Sequence, residues 1–127
     1  MIARKAHKNQ IDRVIANAGI WDVDTFDNFN IESLKKQFEV NVLAPLRLTK
    51  AIENNLVSGS KIILVSTRVA SHQDNSSGGE YGYRMSKSAL NMVGINLAHT
   101  LLERKIGVFM LHPGFVRTDL TKSVRIH

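Results

Sequence analysis

Three short apolar runs, separated by two longer segments with helical spacing, constrain the fold of this 127-residue chain most strongly. The runs are residues 11–16, 61–65 and 106–111, and turn-forming residues adjoin each of them. Runs of this kind are typical of buried strands. Apolar residues recur every three or four positions over 31–55 and 80–103, which predicts two helices. The alternation of strand, helix, strand, helix and strand predicts a parallel sheet with crossover helices.

Local signals predict where these elements begin and end. Asn30 is a suitable N-cap for the first helix, and Ser58-Gly59-Ser60 is expected to end it. Residues 20–30 and 66–80 are predicted to be loops, and the residues after 114 a loop or a short helix. The second strand is apolar on both faces, so helices are expected on both sides of the sheet.

A parallel sheet gathers the carboxyl ends of its strands at one edge, and ligands bind in the crevice beyond them. Here the strands end at Asn17-Ala18-Gly19, at Ser66-Thr67 and at Pro113-Gly114. These stretches are rich in glycine, hydroxyl and turn residues. The sequence therefore predicts a binding site at this edge of the sheet.

Tyr83 and Lys87 stand four positions apart near the start of the second helix, so they share one of its faces. An ammonium beside a phenol favours the phenolate, and such a tyrosine can exchange a proton with a carbonyl or alcohol oxygen. A Tyr-x-x-x-Lys pattern by itself is more often two unrelated surface residues. The small residue Gly82 and others in this helix predict close packing against a neighbour.

Asn41 and Pro45 interrupt the first helix. Proline has no amide hydrogen, so the carbonyl of Asn41 loses its helical donor and can accept a hydrogen bond from water. Asn41 also lies on the apolar face of the helix, where its amide requires partners. One interpretation is an asparagine at the core edge beside a tolerated kink. The other is a proton path formed with a nearby lysine.

Composition argues against several classes of function. The chain has no cysteine, and its five histidines lack metal-ligand spacing, so no metal site is predicted. The net charge is +6, but the basic residues are scattered, and no nucleic-acid partner is expected. No apolar run approaches the roughly 18 residues of a membrane span, and no signal-peptide pattern is present. We expect a single cytoplasmic domain over residues 1–127.

From about Asp12 to Leu120 the chain resembles the short-chain dehydrogenase/reductase family. Five motifs of the family occur in its order: Asn17-Ala18-Gly19, Asn41, Ser66-Thr67, Tyr83 with Lys87, and Pro113-Gly114-Phe115-Val116-Arg117-Thr118. The wording of residues 74–91 is most similar to the carbonyl-reductase-like branch that includes the C-factor proteins. The resemblance implies an α/β fold, a partial Rossmann-type doubly wound parallel sheet of three strands and two long helices without its first βαβ unit.

The resemblance also implies roles. Tyr83 would be the acid/base, Lys87 would assist it and hold the nicotinamide ribose, and Asn41 would keep a relay water in place. Thr67 would polarise the substrate, with Ser66 as the alternative. The residues expected to contact the cofactor are Asn17, Ala18 and Gly19 on the adenosine side, and Pro113, Gly114, Val116 and Thr118 at the nicotinamide end, besides Tyr83 and Lys87.

The implied function is NAD(P)-dependent reduction of a small-molecule carbonyl to an alcohol, or the reverse, with NADP slightly favoured over NAD. The alternative is a non-catalytic C-factor-like interaction or signalling protein. The family's oligomers imply homo-oligomeric contacts through helices 31–55 and 80–103. No G-x-G-x-x-G phosphate loop is present. The family's first strand, which would pair with residues 11–16, also has no counterpart before Ile11. We therefore expect the chain alone to expose an apolar strand edge at Val14 and Ile15, to fold poorly or as an oligomer, and to bind the cofactor weakly.

Overall fold

The computed structural model of the chain describes residues 9–65, 80–111 and 124–125. Its elements, in chain order, are β1 (Ile11–Ala16), α1 (Ile31–Phe38), a π-helical turn (Glu39–Leu43), α2 (Ala44–Ala51), a 3-10 turn (Glu53–Asn55), β2 (Leu56–Val65), α3 (Tyr81–Leu101), β3 (Gly107–Leu111) and β4 (Val124–Arg125). The order of strands and long helical segments predicted from the sequence is confirmed. None of the helices in the described ranges is both long and apolar enough to cross a membrane.

The strands form one sheet in the order β1-β2-β3-β4. The first three are parallel, with Val14 beside Ile62 and Ile62 beside Val108. This arrangement confirms the predicted three-stranded parallel sheet. β4 pairs antiparallel with β3 through Met110 and Val124, where the sequence had predicted a loop or a short helix. Two residues are too few for an alternating pattern to signal a strand.

The hydrophobic core lies between one face of the sheet and the helices. Ile62, Leu64 and Met110 point into it and are almost fully buried. Helical residues that complete this core are Val42 of the π-helical turn and Leu90 and Leu101 of α3. On the opposite face of β1, Ile15 is 61% exposed. Within the described ranges the helices thus leave this side of β1 uncovered, whereas coverage of both sides was predicted.

The long first helical segment is interrupted by a π-helical turn where the sequence predicted an interruption. Asn30 caps α1, and its Oδ1 accepts hydrogen bonds from Glu32 N at 2.8 Å and Ser33 N at 3.2 Å. The Ala44 amide donates to the carbonyl of Glu39, five residues back. Pro45 then occupies the first turn of α2, where a missing amide hydrogen costs nothing.

The sequence predicted that Ser58-Gly59-Ser60 ends the first helix. This prediction is wrong, because these residues lie inside β2. Ile11 pairs with Leu56 and Arg13 with Lys61, so these residues form a bulge in the ladder. Gly59 has φ +94° there, a conformation that favours glycine. The buried Ser60 hydroxyl accepts from Val57 N and donates to the carbonyl of Ile11 at 2.7 Å. Serine and glycine mark an interruption of regular structure, and a bulge satisfies that signal as well as a helix end.

Candidate active site

The carboxyl ends of the three parallel strands meet at one edge of the sheet. Ala16 pairs with Leu64, and Val65 pairs with Leu111, so the chain leaves the three strands at the same level. Asn17, Ala18 and Gly19 follow β1 and are exposed there. The other residues predicted at this edge lie outside the described ranges; they are Ser66, Thr67, Pro113, Gly114, Val116 and Thr118.

Asn41 is buried, and both ends of its amide are used. Its Oδ1 accepts from the backbone amide of Ile20 at 2.8 Å, and its Nδ2 donates to the carbonyl of the same residue at 2.9 Å. The amide thereby pairs with the segment after Gly19 as a neighbouring strand would. Pro45 supplies no donor to the main-chain carbonyl of Asn41. The side chain therefore holds the segment after β1 in place.

Ser86 connects Asn41 to α3, a contact that sequence reasoning missed. Its hydroxyl accepts from Asn41 Nδ2 at 3.1 Å and donates to the carbonyl of Tyr83 at 2.9 Å. Ser86 is buried and lies between Tyr83 and Lys87 in the sequence. The only signal that could have found it is its small size, which permits close approach of the π-helical turn.

Tyr83 is 1% exposed, and its phenolic oxygen has no hydrogen-bond partner among the described residues. A buried hydroxyl without a partner costs free energy, and most buried polar groups in proteins do have one. An orphaned polar group in a native structure therefore requires an explanation, and a catalytic role is one. Among the described residues, no group uses the capacity of this phenol to donate or accept a hydrogen bond.

Lys87 lies one helical turn after Tyr83 and is partly buried. Burial lowers the pKa of Lys87 from its ordinary value of 10.5. An ammonium that gives up part of its hydration gains more from a nearby negative charge than an exposed one does. Lys87 is therefore suited to a bound anion or phenolate within reach of its Nζ.

A second polar network, also missed by sequence reasoning, lies beneath the start of α3. Gln37 is fully buried, and its Oε1 accepts from Asp22 N at 3.3 Å. Gly82 packs against it so closely that an added Cβ would stand 2.3 Å from Gln37 Nε2. Asp24, which is 6% exposed, accepts from the amides of Tyr81 and Gly82. The close packing expected at Gly82 is present, but a polar residue, Gln37, provides the contact.

The described polar groups at this edge come from α3 and from the segment after β1. Within residues 9–65 and 80–111 there is no group of three or more His, Asp or Glu side chains able to hold a metal. The orphaned phenol and the partly buried ammonium lie on one helix, close to exposed backbone after β1. They suit an organic ligand that carries a polar oxygen.

A parallel sheet with helical crossovers and polar groups at its carboxyl edge defines the class of Rossmann-type α/β proteins. A sequence model described as short chain dehydrogenase matches residues 2–127. The chain belongs to the short-chain dehydrogenase family, a family of oxidoreductases.

Two curated relatives show what the chain is similar to. It is 42% identical over 124 residues to the 1-hydroxy-2-glutathionyl-2-methyl-3-butene dehydrogenase of Rhodococcus sp. (strain AD45), over 97% of this chain and 55% of the relative. It is 37% identical over 119 residues to the C-signal of Myxococcus xanthus, over 87% of this chain and 68% of the relative. The chain thus spans about half to two thirds of the length of these relatives.

Solved structures give the same result. The NADPH-bound carbonyl reductase from chicken fatty liver superposes with a TM-score of 0.68 at 32% identity, over 80% of this chain and 45% of that one. A blue fluorescent protein from a metagenomic library, in complex with NADPH, superposes with a TM-score of 0.71 at 26% identity, over 80% of this chain and 40% of that one.

Proposed function

We propose that the chain carries the acid/base half of an NAD(P)-dependent oxidoreductase that interconverts a small-molecule carbonyl and an alcohol. The observation that carries this proposal is the buried Tyr83 phenol without a partner, one turn before the partly buried Lys87. Membership of the short-chain dehydrogenase family and the dehydrogenase and reductase names of its relatives support it.

In the direction of reduction, Tyr83 donates its phenolic proton to the substrate oxygen, and it takes the proton back in oxidation. A bound nicotinamide cofactor would supply the hydride in reduction and accept it in oxidation. Lys87 stabilises the phenolate that the Tyr83 side chain becomes when it loses its proton. A water on the main-chain carbonyl of Asn41 returns the proton from solvent. Thr67, or Ser66 in its place, polarises the substrate carbonyl.

The cofactor is proposed to be NADP in preference to NAD. Asn17, Ala18 and Gly19 would line its adenosine side, and Lys87 would hold the nicotinamide ribose. At the nicotinamide end, Pro113, Gly114, Val116 and Thr118 would contact it. The NADPH in the structure of the similar chicken carbonyl reductase supports this preference. Fluorescence titration of the chain with NADPH and with NADH tests it, and tighter binding of NADH would contradict it.

The test of catalysis uses the chain's two tyrosines. Tyr83→Phe removes the buried phenol, whereas Tyr81→Phe removes an exposed one (40%) in the same helical turn. We expect Tyr83→Phe to lower carbonyl reduction by about 10²–10⁴-fold, the usual worth of a positioned acid/base. Tyr81→Phe should retain the rate of the parent. Equal rates in the two variants, or no turnover by the parent, would refute the proposal.

The second candidate is a non-catalytic interaction or signalling protein that keeps the fold. The similarity to the C-signal of Myxococcus xanthus favours it. This alternative predicts no turnover in the parent and unchanged partner binding in Tyr83→Phe. The tyrosine pair therefore separates the two candidates.

A homo-oligomer formed through helices 31–55 and 80–103 is part of the proposal, as is a cytoplasmic location. Exposed apolar side chains on these helices support the contacts; among them are Ile31, Phe38, Leu46, Leu48, Tyr81, Met85 and Met92. We expect Met92→Lys, at a position that is 55% exposed, to shift sedimentation towards the monomer without unfolding the chain. Ser58→Lys, at an exposed position of β2 outside these helices, provides the control.

A further inference from the structure

The helix that carries Tyr83 begins without a cap of its own. α3 starts at Tyr81, and the preceding Glu80 has a left-handed backbone (φ 54°, ψ 48°) and makes no capping hydrogen bond with its side chain. The first amides of a helix have no intrahelical acceptor, and a side chain of the preceding residue usually supplies one. At α3 the acceptors must come from elsewhere in the fold.

Asp24 supplies them from a loop 57 positions earlier in the chain. Its Oδ1 accepts from Tyr81 N at 2.6 Å, and its Oδ2 accepts from Gly82 N at 3.1 Å. Its main-chain carbonyl accepts from Glu80 N at 2.8 Å. Three consecutive backbone amides thus donate hydrogen bonds to one residue, which is only 6% exposed. A buried carboxylate at the positive end of a helix is a strong, charge-assisted cap.

The loop that carries Asp24 is itself fixed at every second residue. Asn41 holds both backbone groups of Ile20, and Gln37 accepts from the amide of Asp22. The Ser33 hydroxyl also donates to the carboxylate of Asp22 at 2.6 Å. Residues 20–24 therefore connect the end of β1 and the first helical segment to the start of α3.

Tyr83 is the third residue of α3, so it lies in the turn that Asp24 holds. Helix ends open first, and a displaced first turn would carry the phenol out of its buried place. Further along α3, Ser86 connects the helix to Asn41. We propose that Asp24 is a positioning residue for Tyr83: by capping α3 it holds the phenol at the reacting oxygen. The catalytic part of this inference rests on the proposed function.

The test compares Asp24→Ala with Asn30→Ala. Asn30 caps α1 in a similar way, because its side chain accepts hydrogen bonds from two backbone amides. Its helix, however, carries no residue proposed as the acid/base. Asp24→Asn retains one acceptor oxygen and serves as the conservative variant. Each change is made in the parent for kinetics. It is also made in a Tyr81→Phe background labelled with 3-fluorotyrosine, so that Tyr83 gives the only tyrosine fluorine signal.

We expect Asp24→Ala to lower kcat by about 10–100-fold with KM nearly unchanged, since a small misplacement of a reacting group has this effect. The fluorine resonance of Tyr83 should be broadened by a soluble paramagnetic quencher, because the ring becomes accessible to solvent. Asp24→Asn should recover most of the rate and of the protection. Asn30→Ala should lose stability but leave both readouts as in the parent.

The outcomes separate the two proposals. A quencher-accessible Tyr83 in Asp24→Ala, in a chain without turnover, would support the positioning role and refute the proposed function. A Tyr83 signal and a kcat that are unchanged in Asp24→Ala would overturn the positioning role. The positioning role is also overturned if Asn30→Ala exposes Tyr83 to the same degree, because the effect would then be general loss of stability. If Asp24→Ala does not fold, Asp24→Asn decides by the same criteria.

Discussion

At the scale of single residues, Asn41 shows how one side chain organises the site. Its amide satisfies both backbone groups of Ile20 and the hydroxyl of Ser86, all in a buried position. The segment after β1 and the helix bearing Tyr83 are thereby attached to the same group. An asparagine on an apolar helix face is unusual unless its amide is used in this manner.

We expect Asn41→Ala to lower the free energy of unfolding by about 2–4 kcal/mol, since each buried group left without its partner costs about 1–3 kcal/mol. Asn96→Ala, at an exposed position on α3, should change it by less than about 0.5 kcal/mol. Urea unfolding monitored by circular dichroism measures both. Equal losses in the two variants would contradict a structural role of the Asn41 amide.

The pKa of Lys87 leads to a prediction about pH. Burial lowers this pKa below 10.5, so the folded chain binds the proton less tightly than the unfolded chain does. Burial of the protonated Lys87 therefore lowers the free energy of unfolding. This loss is complete at pH values below the pKa of Lys87 in the folded chain, and it disappears as the pH rises to 10.5. Lys87→Met should therefore be stabilised relative to the parent near neutral pH, and the difference should shrink as the pH approaches 10.5.

Chemical unfolding over a series of pH values measures this effect. Lys36→Met, at an exposed position of α1, removes the same charge without changing a buried site. It is the control for the loss of one positive charge. A difference between Lys87→Met and the parent that stays constant from neutral to alkaline pH would show that burial does not affect this ammonium.

At the scale of elements, the approach of α1 to α3 depends on Gly82. A Cβ at this position would stand 2.3 Å from Gln37 Nε2 and 2.8 Å from Leu34 Cδ2. Gln37 cannot move away without losing its contacts with Asp22 and Ser33. We expect Gly82→Ala to cost about 1–3 kcal/mol of stability, the usual effect of overpacking.

A double-mutant cycle with Gln37→Ala isolates this contact. Because the shorter side chain makes room for the added methyl, the combined variant should be more stable than the sum of the two single effects predicts, by about 1 kcal/mol. Ser88→Ala, at an exposed position of α3, is the control for changes in helix propensity. Additive effects would show that the two helices separate without strain.

The sequence predicted the helices and strands well where the spacing of hydrophobic residues alone determines their type and bounds. β1 was predicted at its observed bounds, and Asn30 at its capping position. The errors came from signals with two structural meanings. Ser58-Gly59-Ser60 is compatible with a helix end or with a bulge, and only the pairing partner of β2 decides between them. The cap from Asp24 was not predictable, because it joins residues 57 positions apart without a local pattern.

At the scale of the whole molecule, the parallel sheet and the common edge of its strands followed from the alternation of elements, and the parallel pairing is confirmed. The π-helical turn was foreseen only as a bend at Pro45, since a π turn has no sequence period of its own. Which side of the sheet is covered could not be read from the residues. Apolar residues on both faces of a strand show only that its side chains are hydrophobic. Whether a face of the sheet is covered depends on the elements that pack against it.

The exposed side of β1 yields a prediction for the chain as a whole. β1 pairs with β2 along one edge, no strand in the described ranges pairs with its other edge, and Ile15 is 61% exposed. An open apolar edge strand promotes pairing between chains, and a lysine on such a strand opposes it. We expect Ile15→Lys to raise the concentration at which light scattering detects association, with little change in the midpoint of urea unfolding. Leu102→Lys replaces a similarly exposed side chain (69%) after α3, away from any sheet edge, and should leave the association unchanged. If both lysines suppress association equally, net charge is the cause, and the open edge of β1 is not the site at which the chains pair.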